Sequence, residues 1–250
     1  MLDQRGAGRS HPYLSLEANT TPHLVADLER IRSHFGIERW FLVGGSWGST
    51  LALAYAERFP QRVMGLVLRA VFLGTAEEVQ WAFVEGSKLF RPDLYADFVG
   101  YLPAPERGDP LAAYLARLAD PDPAVKARAA RIWNAYERAL SRLSPAQSRL
   151  EGEPPTEGRL PPTPIVEAHY IRNDFFLEPR QLLRDAGCLK GVPGHIVQGR
   201  YDLLCPPKSA YALAQAWPDC RLEIIEGAGH DMAEPGVAPA MAEALRRLAT

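Results

Sequence analysis

Cysteine is scarce in this chain, and the three residues present, Cys188, Cys205 and Cys220, stand far apart. They offer neither the paired framework of a small disulfide-rich secreted protein nor the close spacing of a zinc-binding motif. Scattered, unpaired cysteines are typical of a reducing compartment. We therefore expect a cytoplasmic protein.

An excess of charge is also missing, because 28 lysine and arginine residues stand against 30 aspartate and glutamate residues. The formal net charge of −2 provides no general field that would attract nucleic acid or anionic lipid. No apolar run approaches the ~18 residues needed to cross a bilayer, and the first residues have no signal-peptide core. Small molecules are therefore the expected partners, rather than nucleic acid or a membrane.

The pattern of apolar residues predicts an α/β architecture in this chain of 250 residues, 47% of them hydrophobic. The predicted order is helix 24–35, strand 40–43, helix 50–59, strand 63–68, then strand 195–197, helix 209–217, strand 222–225 and helix 237–248. Strands that alternate with helices in this way form a parallel sheet.

The middle of the chain has a different character. Residues 76–149 suit amphipathic helices and contain no convincing strand, and the proline-rich segment 151–164 is expected to be a connector without regular structure. We therefore expect an α/β core formed by residues 1–75 and 187–250, interrupted by a helical cap at residues 76–186.

The stretch 44–48 (GGSWG) lies between a predicted strand and a predicted helix. A chain that reverses from strand to helix within a few residues strains the backbone at the apex, and glycine neighbours permit the close approach. The Ser46 hydroxyl would project above the sheet at the positive end of the helix, with the Trp47 N–H as an oxyanion donor. Glycine-rich turns also bind phosphate, but the G-x-G-x-x-G spacing and the P-loop lysine are both missing. We interpret Ser46 as a nucleophile.

A serine nucleophile needs a base and a group that orients the base. Asp202 follows strand 195–197, and His230 follows strand 222–225 in a glycine-rich loop. Because the carboxyl ends of parallel strands meet at one edge of a sheet, Ser46, Asp202 and His230 are predicted to form a catalytic triad.

Each partner has an alternative interpretation. Asp202 alone would serve equally well as a cap of the helix that begins near Pro206. A lone histidine such as His230 is more often a surface or loop residue. Asp231 is a rival orienting group, although adjacent residues rarely aim their side chains at each other in such a loop.

Together these stretches resemble the prolyl aminopeptidases, also called proline iminopeptidases, of the α/β-hydrolase superfamily. The matching stretches are 3–10 (DQRGAGRS), 19–21 (NTT), 44–55 (GGSWGSTLALAY), 198–202 (QGRYD), 205–206 (CP) and 227–230 (GAGH). G-x-S-x-G alone indicates only the superfamily, whereas DQRGAGRS and GGSWGS together indicate this family.

The resemblance implies an α/β-hydrolase fold with a helical cap and a serine exopeptidase that releases N-terminal proline from peptides. Ser46 would attack the scissile carbonyl, His230 would move the proton and Asp202 would orient the imidazole. Water would then hydrolyse the acyl-enzyme. No metal or organic cofactor is expected, and no H-E-x-x-H motif is present.

The resemblance also implies a site for the cationic N-terminal amine, which two glutamates of the cap hold in this family. The strings 133–137 (WNAYE) and 167–170 (EAHY) are similar to the family's W-x-x-W-E and E-x-H-Y, so Glu137 and Glu167 are the candidates. Tyr136 and Arg138 depart from the pattern, where tryptophan and a small residue are usual, and leave the shape of the pocket open. Without the family, Glu137 would be assigned to a solvated helix face.

Aromatic side chains are the expected apolar pocket for the pyrrolidine ring. Trp47, Phe175 and Phe176 are candidates, and core packing is an equally natural role for each of them.

One family string, His-Gly-Gly-Pro-Gly, is expected upstream of DQRG, where its backbone N–H completes the oxyanion hole. The sequence begins past it, so we expect the first strands of the sheet to be missing, the edge of strand 40–43 to be uncovered and peptidase activity to be low. Loss of one oxyanion donor costs about 10²- to 10³-fold in rate. Two other hypotheses stay open: another α/β-hydrolase activity such as an esterase, and a non-catalytic fragment or binding protein.

Overall fold

A computed structural model describes residues 2–150, 152, 154 and 157–250. Within these residues a single parallel sheet contains the strands β1 (Trp40–Ser46), β2 (Val63–Val71), β3 (Gly194–Gly199) and β4 (Cys220–Ile225), in that order. The prediction of a parallel α/β sheet is therefore confirmed. β1 and β2 each extend three residues beyond their predicted ends. As expected, β1 is an edge strand of the described sheet, and its Val43 is 55% exposed.

Helices surround the sheet and form the cap. They are α1 (Thr21–His34), α2 (Trp47–Arg58), α3 (Ala76–Gln80), α4 (Gly86–Phe90), α5 (Pro92–Gly100), α6 (Pro110–Leu118), α7 (Pro123–Leu140), α8 (Pro162–Ile171), α9 (Gln181–Arg184), α10 (Pro207–Ala216) and α11 (Val237–Ala249). A π-helical turn, Trp81–Glu85, joins α3 to α4. No helix in the described part of the chain is both long and apolar enough to cross a membrane.

Successive side chains of a strand point to opposite faces of the sheet, so the hydrophobic core is divided between the two faces. Leu66 and Leu68 of β2 pack with residues of α2 and α10, whereas Val67 packs with residues of α11. All three side chains are fully buried. Each contributes about 1.5–3 kcal/mol of hydrophobic stabilisation. The sheet is therefore covered on both faces, which holds the carboxyl ends of its strands at fixed positions.

The cap has a separate aromatic core. The ring of Phe98 stacks on Tyr114 at 4.1 Å and on Tyr136 at 3.9 Å between centroids, and Phe83 packs against Trp133 at 4.3 Å. Tyr136, the residue that departs from the family pattern, is fully buried in this stack and donates a hydrogen bond to the Phe83 carbonyl. Its phenol therefore serves the packing of the cap.

The expectation of a connector without regular structure through residue 164 was wrong at its end, because α8 begins at Pro162. Prolines are tolerated in the first helical turn, where the N–H groups have no intrahelical partner. Of the rest of that segment, residues 151, 153, 155 and 156 lie outside the described residues.

Candidate active site

Ser46 is the last residue of β1 and the N-cap of α2, and its backbone is strained, with φ 55° and ψ −127°. A Cβ atom at Gly44 would overlap the Gly48 carbonyl oxygen, so glycine is required at position 44 for α2 to turn back so tightly. The Ser46 carbonyl accepts a hydrogen bond from Ser49 Oγ at 2.6 Å. These contacts hold the serine at the apex of a sharp turn from strand to helix.

The indole of Trp47, the first residue of α2, is fixed by the N-terminal segment. Its Nε1–H donates to Gln4 Oε1 at 2.8 Å, and both residues line the cavity above Ser46. The DQRG string therefore has a structural role beside the Ser46 turn, which the sequence alone did not reveal.

Asp202 and His230 come together beyond the ends of β3 and β4. Nδ1 of His230 lies 3.0 Å from each carboxylate oxygen of Asp202. The Asp202 side chain is buried and also accepts backbone N–H groups of Leu204 at 3.1 Å and Cys205 at 2.8 Å, and the Gln198 amide at 3.3 Å. With its proton on Nδ1, the ring would be held in a single orientation.

The structure shows neither of the two alternative roles, helix cap for Asp202 or orienting group for Asp231. The N-cap of α10 is Pro206, so Asp202 does not cap that helix. Asp231 accepts hydrogen bonds from Arg142 Nε at 2.6 Å and from the Ala233 N–H at 2.9 Å, both away from the imidazole. No hydrogen bond between the Ser46 hydroxyl and the His230 ring is present in the described chain.

A cavity of about 350 Å³ opens over Ser46 between the sheet and the cap. Its lining is largely aromatic and aliphatic, and includes Trp47, Phe72, Phe83, Val166, Tyr170, Phe175, Leu204 and Cys205. Trp47 and Phe175, two of the three candidate pocket residues, therefore line this cavity. Phe176 instead packs against His169 and Tyr170, with ring centroids 5.2 and 5.5 Å away.

Two cap carboxyl groups, Glu137 of α7 and Glu167 of α8, line the same cavity as Ser46. Glu167 Oε2 accepts the Trp133 indole N–H at 2.8 Å. Burial raises the pKa of Glu137, while burial and the neighbouring Glu137 charge raise the pKa of Glu167 well above its usual range. No ion pair within the described chain neutralises either carboxyl, so the cavity lining contains two neighbouring acidic groups that a bound cation would stabilise in their ionised form.

Cys205 also lines the cavity, near Ser46. Burial, followed by the Asp202 and Glu78 carboxylates, raises the pKa of its thiol well above the usual range, although the nearby Ser46 hydroxyl has the opposite effect. The thiol is therefore kept protonated.

The cap and the histidine loop are joined directly. The carbonyl of Ser141, the C-cap of α7, accepts the backbone N–H of His230 at 3.0 Å and that of Asp231 at 2.9 Å. Arg142 adds the ion pair with Asp231. The helix that carries Glu137 thus ends on the loop that carries the histidine.

Asn19 links the N-terminal segment to α8. Its buried amide donates to the carbonyls of Arg5 at 2.9 Å and Ser15 at 3.2 Å, and its Oδ1 accepts the Tyr170 hydroxyl at 2.9 Å. The Asn19 carbonyl lies 2.8 Å from His169 Nε2. These bonds hold the segment of α8 that follows Glu167.

Comparison with known proteins gives a consistent result. A sequence model described as alpha/beta hydrolase fold matches residues 1–236. The chain is similar to a probable proline iminopeptidase of Leptolyngbya boryana, with 40% identity over 248 residues that cover 99% of this chain and 77% of that protein. It is similar to a proline iminopeptidase of Neisseria gonorrhoeae, with 39% identity over 248 residues that cover 98% of this chain and 78% of that protein.

Solved structures of lower identity resemble the fold. An alpha/beta fold family hydrolase from Bacillus anthracis str. Sterne has a TM-score of 0.62 at 17% identity, over 98% of this chain and 80% of that one. MGS-M2, an alpha/beta hydrolase enzyme from a Medee basin deep-sea metagenome library, has a TM-score of 0.61 at 16% identity, over 99% of this chain and 78% of that one. At these identities the likeness concerns the fold alone.

Proposed function

The chain belongs to the proline iminopeptidases of the α/β-hydrolase fold family, and from that premise we propose that it releases N-terminal proline from peptides through Ser46, His230 and Asp202. The observation that carries the proposal is the shared cavity, which is lined both by two carboxyl groups without an ion-pair partner in the described chain and by a strained serine at a strand-to-helix turn. The two carboxyl groups would hold the substrate's ammonium group, and Ser46 would receive the scissile carbonyl.

The proposed chemistry follows from the roles of the three side chains. Ser46 Oγ attacks the carbonyl carbon while its proton passes to Nε2 of His230, and the Trp47 N–H donates a hydrogen bond to the developing oxyanion. Collapse of the tetrahedral intermediate breaks the C–N bond, and His230 gives the proton to the leaving amine. Water then attacks the acyl-enzyme with His230 as base. Catalytic hydrogen bonds of this kind are often long in a free enzyme and tighten on substrate binding, which fits the absence of a Ser46–His230 bond in the described chain.

Glu137 and Glu167 would select the amine. A cation that leaves water needs a compensating charge, and hydrogen bonds to charged groups contribute about 1.5–3 kcal/mol. The proline ammonium would bind the ionised carboxyls, so substrate binding would favour loss of the proton that the raised pKa values retain. The pyrrolidine ring would lie against the apolar wall that includes Phe175.

The arrangement of the chain supports further proposals. The strands lie within residues 1–75 and 187–250, which we propose as the core, and the segment 76–186, whose regular elements in the described residues are all helices, would form the cap. Cys188, Cys205 and Cys220 are free thiols, which supports a cytoplasmic location.

The test compares substrates with and without a free amine. Hydrolysis of a proline arylamide should be lost in Ser46→Ala. Glu137→Gln and Glu167→Gln should each lower kcat/KM by about 10- to 100-fold, the equivalent of one charged hydrogen bond. N-acetylproline arylamide is the matched control, because it lacks the cation and should be a poor substrate for every variant.

An esterase would behave differently. If p-nitrophenyl acetate is the better substrate and both glutamine variants hydrolyse the proline arylamide as well as the parent chain does, the proposed specificity is wrong. If Ser46→Ala keeps full activity, the proposed nucleophile is wrong.

A further inference from the structure

Arg69 lies near the carboxyl end of β2 and contacts both loops that would carry the reacting groups. In the β1–β2 register it is paired with Gly45, one residue before Ser46. A Cβ atom added at Gly45 would lie 2.6 Å from Arg69 Nη2 and 2.8 Å from Nε, so the guanidinium lies directly against the nucleophile turn. On the other side, Nη1 donates a hydrogen bond to the carbonyl of His230.

The surroundings of this guanidinium differ from those of an ordinary structural arginine. Its Nε is shielded from solvent and has no hydrogen-bond partner in the described chain, and Arg69 forms no ion pair there. Burial lowers the pKa of Arg69, while the Asp202, Cys205 and Asp231 side chains oppose that change. A guanidinium nevertheless stays charged in proteins. The cation is therefore kept beside the site although its desolvation is poorly compensated.

We propose that Arg69 is a positioning residue that sets the distance between the Ser46 turn and the His230 loop, a role that rests on the proposed triad. Its planar fork spans the gap between the two loops: one edge packs on Gly45 and one N–H holds the His230 carbonyl. The contact with Gly45 also explains why that residue of the G-G-S-W-G string has no side chain.

The magnitude of this role follows from the sensitivity of proton transfer to geometry. A displacement of about 1 Å in a reacting pair can cost on the order of 10²-fold in rate. Arg69 touches neither cap carboxyl through a contact in the described chain, so it should affect kcat far more than KM.

The experiment measures kcat and KM for a proline arylamide in Arg69→Met and Arg69→Lys, normalised to the sites that a fluorophosphonate labels. Arg69→Met should lower kcat per labelled site by about 10- to 100-fold and change KM by less than about threefold. Arg69→Lys keeps a donor and a charge and should recover part of the loss. Arg221→Met, at an exposed position of β4, is the matched control and should leave kcat unchanged.

A second variant pair tests the contact itself. Gly45→Ala should lower the kcat of the parent chain about as much as Arg69→Met does, because its methyl group would displace the guanidinium, but should cost much less kcat when combined with Arg69→Ala. If Arg69→Met is too unstable to assay, this pair still tests whether Arg69 has the positioning role.

The outcomes separate this proposal from the proposed function. Unchanged kcat in Arg69→Met, a change confined to KM, or equal costs of Gly45→Ala in both backgrounds would overturn the positioning role while Ser46→Ala remains inactive. Full activity in Ser46→Ala would overturn the triad and the positioning role with it.

Discussion

Glu57 should make the stability of this protein depend on pH. It lies in the last turn of α2, with Oε1 buried and unpaired and Oε2 at 3.4 Å from the Gln181 amide. Burial raises the pKa of its carboxyl to about 7, and the neighbouring Asp185 charge adds to the effect. In the unfolded chain the pKa would be near its usual value of about 4.5.

The direction of this pH dependence follows from how tightly the folded and unfolded states bind the Glu57 proton. The folded state binds this proton more tightly, so the free energy of unfolding should fall as pH rises from about 4.5 to about 7 and stay level above that. A shift of about 2.5 units at 1.36 kcal/mol per unit amounts to about 3 kcal/mol. Glu57→Gln removes the ionisation, so at pH 8 it should be more stable than the parent chain by up to that amount, or about 6–12 °C in Tm.

Denaturant unfolding at pH 5 and pH 8 measures this difference. Glu17→Gln, at an exposed position, is the control and should give the same stability as the parent at both pH values. Eleven residues of helix, about 16 Å, separate Glu57 from Ser46, so kcat should not change. A Glu57→Gln effect of equal size at pH 5 and pH 8, or no effect at either, would refute the reasoning.

Three further predictions concern the cavity. Because Glu137 and Glu167 have raised pKa values, KM for a proline arylamide should rise as pH falls from 8 to 5, whereas a neutral ester substrate should show no such rise in KM. Asn19→Ala should leave the buried Tyr170 hydroxyl unpaired, lower stability by about 1–3 kcal/mol and raise KM more than it lowers kcat; an unchanged melting temperature would contradict this. Cys205 should resist iodoacetamide at pH 8 in the folded protein, as peptide mass spectrometry can verify, because its buried thiol stays protonated.

The sequence predicts the framework well because the strands contain short apolar runs that alternate with segments of helical pattern. Trp40 to Val43 and Val63 to Leu68 are such runs, and both belong to strands of the observed sheet. The start of α8 was missed because prolines were taken as helix breakers, although the first turn of a helix accepts them.

Fewer features of the candidate site than of the fold could be predicted from the sequence. Ser46 has a local signature, whereas Glu137 and Glu167 could be selected only through the family resemblance. Asn19 belongs to the matching stretch 19–21, but the contacts of Asn19 and Arg69 have no local signal, because they join residues far apart in the chain: Asn19 to Tyr170 and Arg69 to His230. Only the folded arrangement shows that they lie beside the candidate residues.

The Ser141 carbonyl accepts two hydrogen bonds, and these limit how substrate can enter the cavity. Any outward swing of the end of α7 would pull the imidazole loop with it, because the two N–H groups of His230 and Asp231 share that carbonyl. An opening of the cap on this side would therefore move His230 away from Ser46, its proposed partner, while substrate enters. Peptides must therefore enter from another side, or be cleaved only after the cap has closed. The open form would then not hydrolyse the peptides that it meets.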